Sequence, residues 1–126
     1  MSALGAFCTH LVDFFEDLAE TYPDEKDIRM AFQALKIMKQ ANPRLMHAFF
    51  MEKVYKEFSD KILNEDEEYL LTRAHEILNT QYSEINYAFW IFDKHWREMT
   101  ETNKSHVWAH LKALVLLAQR AGAGSG

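Results

Sequence analysis

Helix-breaking residues are nearly absent from this chain. Across residues 1–121 the only glycine is Gly5 and the only prolines are Pro23 and Pro43. Sandwiches and barrels need a turn residue every several positions, so this scarcity argues against an all-β fold. What remains is a succession of apolar stripes at three- and four-residue spacing, the period of a helix with one buried face. The expected fold is all-α, a compact bundle of five to six helices.

The first helix is predicted over residues 4–22, with Phe7, Leu11, Phe14, Phe15 and Leu18 inward. Asp13, Glu16, Asp17 and Glu20 form an acidic stripe opposite them. The second spans residues 24–41, with Asp24 as N-cap and Ile28, Ala31, Phe32, Leu35 and Met38 inward. Asn42-Pro43 then restarts the chain, because Asn caps well and Pro is favoured at the first helical position. Helix three follows over residues 43–58, with Leu45, Met46, Phe49, Phe50, Val54 and Phe58 on a wide apolar face. Ser59 and Asp60 suggest an interruption. Asn64, with Glu67 three residues on, reads as the capping box of the next helix, which runs through Leu70, Leu71, Ala74, Ile77 and Leu78. Residues 84–99 make the fifth helix after Ser83. Residues 103–121 make the sixth after Thr102, with Val107, Trp108, Leu111, Leu114, Val115 and Ala118 inward. Gly122 is the expected stop.

The length of 126 residues suits a single domain, expected over residues 1–121, with 122–126 a flexible tail or linker. Residues that are 48% hydrophobic supply a core without disulfides or metals. The lone Cys8 has no partner in the chain, and no signal peptide is visible, so an intracellular, reducing location is expected. The net charge of −5 and the absence of two adjacent Lys or Arg residues disfavour nucleic-acid binding. No apolar run approaches the ~20 residues of a membrane span.

Catalytic signatures are lacking: there is no phosphate loop, no nucleophile elbow and no Cys pair. Cys8 is followed by His10, which on a helix points elsewhere. The chain is expected not to be an enzyme and to need no cofactor. His106 and His110 share a helix face at i, i+4 and are able to chelate one ion, with His95 or His75 as a third ligand. The Glu of the zinc-protease motif is missing between them, so no metal is the first expectation. A metal- or small-ligand-binding bundle built on His95, His106 and His110 is the alternative.

The strongest functional signal is a helix with two apolar faces. In helix five, Ile85, Phe89, Phe92, Trp96 and Met99 form one stripe. Tyr87, Trp90 and Ile91 form another, with Trp90 about 140° from the centre of the first. Either this helix is buried on both sides, or the second stripe meets a partner through the residue types that dominate interfaces. Leu116 and Leu117 lie similarly off the main stripe of helix six. The expected function is non-enzymatic protein–protein interaction or a structural role, through a protein partner or self-association, with Tyr87, Trp90, Ile91, Leu116 and Leu117 in contact.

Several segments together carry a family resemblance. They are Phe14-Phe15-Glu16-Asp17-Leu18 before Tyr22-Pro23, Asn42-Pro43, Ile62 through Glu67 leading to Leu70-Leu71, Trp96 through Thr100, Asn103-Lys104, Trp108, Leu111 and Leu114. Across most of residues 11–118 the chain resembles a group of uncharacterised small helical proteins encoded by large DNA viruses of algae and protists. The resemblance implies a viral protein acting in host cytoplasm or in the virion. It carries over no catalytic residues.

Overall fold

The computed structural model describes residues 2–80 and 91–124, and all elements among them are helical. Helix α1 (Ala3–Thr21) is the centre of the molecule, packing against α2 (Lys26–Ala41), α3 (Pro43–Phe50) and α6 (Glu101–Gly124). Between them, α3 passes through a π-turn (Met51–Tyr55) into α4 (Lys56–Leu63), and α5 is Glu67–Thr80. A second π-turn (Ile91–His95) and a 3₁₀ turn (Trp96–Glu98) lead into α6. No helix among the described residues is long and apolar enough to cross a membrane.

The central place of α1 follows from its composition. Beyond the expected stripe, Cys8 and Val12 are also buried, so α1 presents apolar surface to neighbours on several sides. Ser2 starts it by accepting the Gly5 N–H at 2.9 Å. Helix α6 buries Val107, Trp108, Leu111, Leu114, Val115 and Ala118, the stripe read from the sequence.

The expected break at Ser59–Asp60 does not occur. Neither residue is a strong breaker, each costing a fraction of a kcal/mol in a helix, and Phe58 and Ile62 are buried on either side of them. The helical path from Pro43 to Leu63 buries Met46, Phe50, Val54, Phe58 and Ile62 at strict four-residue spacing. In a pure α-helix such a row rotates by about 40° per step, since each residue advances about 100°. The wider π-turn advances less per residue and brings the row back toward the core. The buried row is consequently narrow, and Leu45 and Phe49, expected inside, are exposed.

The chain turns instead at Asn64. Glu65 N–H bonds the Ile62 carbonyl at 3.1 Å and Asp66 N–H bonds that of Lys61 at 2.8 Å, the paired closure of a Schellman motif. Its left-handed position is held by Glu65 at φ 52° where glycine is usual. The cap of α5 is therefore Asp66, accepting the Tyr69 N–H at 3.2 Å, and not Asn64.

Other boundaries move for similar reasons. Asn42 caps α3 as expected, accepting the Leu45 N–H at 3.2 Å with Pro43 next. Asp24 does not cap α2; that position falls to Glu25, whose carboxylate is drawn to Lys94 and His95. Thr100 replaces Thr102 at the start of α6, accepting the Asn103 N–H at 3.1 Å. Helix α6 runs past Gly122, which lies half-buried near the His47 ring.

Candidate functional site

Helices α1 and α6 lie along one another and bring together side chains from opposite ends of the chain. On α1, His10, Asp13, Phe14 and Asp17 fall within two turns of one another. On α6, His106 and His110 share a face. The His110 ring is held at both nitrogens: Nδ1 is 3.3 Å from His10 Nε2, and Nε2 is 3.1 Å from Asp17 Oδ2. Phe14 lies against the same ring, with centroids 5.2 Å apart.

With both rings neutral, one proton pattern satisfies this chain. Asp17 accepts from His110 Nε2–H, which leaves His110 Nδ1 to accept from His10 Nε2–H. Burial, then the neighbouring His110, pushes His10 below the usual histidine value. A carboxylate-oriented imidazole is also the geometry of a general base, but Cys8 is engaged elsewhere: its thiol is buried and donates to the Pro43 carbonyl at 3.6 Å. Burial raises the thiol above its ordinary value, which disfavours the nucleophilic thiolate.

Beside His110 runs a groove of about 200 Å³. Phe14, Leu18, Met99 and Val107 give it an apolar floor, and Asp17, Glu20, Tyr22, Asn103 and His106 a polar rim. Pockets for drug-sized ligands are roughly 300–1,000 Å³, so this one suits a side chain better than a cofactor.

His95 serves a different purpose. It stacks on Tyr22 with centroids 4.2 Å apart, and its Nε2 lies 3.0 Å from Glu25, which also takes Lys94 Nζ at 2.8 Å. The Lys94 hydrogen bond, assisted by His95 against the opposing effect of burial, holds the Glu25 carboxyl below its ordinary value. These contacts pin the α1–α2 turn to the π-turn at Ile91–His95. His75 is likewise bonded to Asp93, at 2.9 Å. His95, His106 and His110 therefore do not converge as ligands, and the described residues contain no cluster of three or more His, Cys, Asp or Glu able to hold a metal ion.

Of the five expected contact residues, Tyr87 and Trp90 lie outside the described residues. Ile91 opens the second π-turn. Leu116 is exposed, whereas Leu117 is partly buried against the core.

Sequence reasoning passed over the most exposed large apolar residues among those described. Met30 is 67% and Ile37 68% exposed, seven residues apart on α2 and outside its buried row. Ala34 lies on the same line between them and Ala41 extends it, at i+4 and i+11 from Met30. Lys26, Arg29 and Lys36 stand exposed around it, and among the described residues they form no ion pair. The available signal was two large aliphatic residues off the main stripe of an otherwise ordinary amphipathic helix. No protein-family model, curated protein or solved structure matches the chain.

Proposed function

We propose that this protein is a non-enzymatic interaction module, a helical domain that docks a protein partner or another copy of itself through apolar side chains on its outer helix faces. The observation that carries this reading is the pair Met30 and Ile37, each about two-thirds exposed and one heptad apart on α2. Single exposed aliphatic residues are ordinary on a soluble protein. Two in line, with Ala34 between them and cations at the edges, have the form of a helix face that packs against another surface. Leu116 on α6 and the Tyr87/Trp90/Ile91 stripe belong to the same proposal. With the resemblance to viral helical proteins, the reading places the module inside the infected cell or in the virion, with a protein rather than nucleic acid as partner.

The second reading, a ligand-binding bundle, is favoured by one observation, the groove beside His106 and His110. Light scattering combined with elemental analysis separates the two. A metal-free oligomer reduced to a folded monomer by the double substitution Met30→Glu/Ile37→Glu supports the interaction module. A monomer carrying stoichiometric metal, lost in His106→Ala, supports the ligand-binding bundle and overturns the first reading.

A further inference from the structure

Two outer faces of this molecule are complementary to each other. The outer face of α1 carries Asp13, Glu16, Asp17 and Glu20, all exposed. Among the described residues, Asp17 alone of these four is in an ion pair, with His110. The outer face of α2 carries Lys26, Arg29 and Lys36 with no exposed carboxylate, and sets Met30 and Ile37 among them. A chain of net charge −5 thus holds an acidic face and a basic face on neighbouring helices.

We infer that the α2 outer face of one copy docks into the α1/α6 groove of a second copy. This deepens the interaction reading above and rests on it. The groove has an apolar floor of Phe14, Leu18, Met99 and Val107, and its volume of about 200 Å³ admits an aliphatic side chain such as Ile37 or Met30. Its rim includes Asp17 and Glu20, so an inserted α2 side chain arrives with cations beside carboxylates. The spacings agree as well. Arg29 and Lys36 are seven residues apart on α2, and Asp13 and Glu20 seven apart on α1, each interval about 10.5 Å along its helix. Two antiparallel or parallel helices therefore present their charges at a common repeat. Cations that steer the approach and an apolar side chain that fills the groove are the usual division between association rate and affinity.

The contact joins two different surfaces, so it is heterologous, and this gives it a specific test. Ile37→Glu spoils the α2 face and leaves the groove intact. Glu20→Lys spoils the groove rim and leaves α2 intact. Both positions are exposed, and circular dichroism checks that each variant is folded; Lys36→Glu serves as a second α2 variant.

Sedimentation velocity across a concentration series reads the outcome. The wild type is expected to self-associate, more weakly at high salt because exposed charges are screened. Each variant alone is expected to lose association by about tenfold or more, Ile37→Glu because it removes the apolar anchor of the contact and Glu20→Lys because it sets a cation against the cations of α2. An equimolar mixture of the Ile37→Glu and Glu20→Lys chains retains one intact pair of faces and is expected to form a dimer. A wild type that stays monomeric at all concentrations overturns the self-docking and leaves α2 for a foreign partner. Association abolished by Ile37→Glu but untouched by Glu20→Lys keeps the interaction module and overturns the groove as its receptor. A mixture that stays monomeric while the wild type associates also overturns it.

Discussion

Replacing Trp96 by Ala tests how the 3₁₀ turn before α6 is tied to the core. The side chain is 1% exposed and meets Trp108 edge-on, with centroids 5.3 Å apart at 79°. Its indole N–H donates to Glu67, and Lys104 Nζ sits 5.5 Å from the ring centre. Truncating a buried aromatic to Ala costs about 3–5 kcal/mol, transfer and cavity together. Glu67 is half-exposed and takes water in place of the indole, so the lost hydrogen bond adds little. With an unfolding entropy of about 2.1 cal/mol/K per residue, a chain of this length loses roughly 10–20 °C in Tm for that cost. Trp96→Phe keeps much of the ring and drops the N–H, and is expected to cost about 1–2 kcal/mol. Calorimetry and urea titration measure both. A Trp96→Ala protein melting within two degrees of wild type refutes the placement of Trp96 as the link between turn and core.

Asn42→Ala removes the side-chain cap of α3 and is expected to cost about 1 kcal/mol in denaturant titration, with Asn42→Asp restoring most of it. His10 is expected to make stability fall on acidification. Its folded value lies below the free value of 6.5, so between the two the unfolded chain binds more protons and stability rises with pH. His10→Gln flattens this window, and titration of the His10 ring by NMR checks the direction. Glu25 acts in the same direction at lower pH. Its lowered carboxyl contributes stability present above the unfolded carboxylate value and lost as pH falls through the folded one. Glu25→Gln is expected to flatten that acid limb of the stability curve.

Most of the fold was legible because apolar period reports directly on which face of a helix is buried. The rows through α1, α2 and α6 and the burial of Trp96 and Trp108 needed no other information. Boundaries were less legible where a polar residue had two uses. Glu25 and Asp66 occupy caps that neighbouring Asp24 and Asn64 would equally have filled, and tertiary partners or the Glu65 turn decide between them. The width of the α3–α4 face was overread because the sequence does not reveal the π-turn that keeps a four-residue row facing inward. The histidine site was half-legible: i, i+4 spacing puts His106 and His110 on one face, but His10 reaches His110 across 100 residues of chain. That pairing depends on how α1 and α6 pack, which period alone does not specify. Met30 and Ile37 were visible as off-stripe residues, yet a two-residue excess is a weak signal beside the aromatic stripe of helix five.

A paired capture experiment from cells that produce the protein tests the α2 docking face most directly. The baits are the wild type and a Met30→Glu/Ile37→Glu variant shown to be folded, each at matched amounts, and every co-purifying chain is quantified, including untagged copies of the protein itself. Because both positions are about two-thirds exposed, the variant keeps its fold, with surface substitutions usually within about 0.5 kcal/mol of wild type. The specific set bound by the wild type is expected to be lost from the variant. An identical set on both baits contradicts the assignment of the α2 outer face as the docking surface.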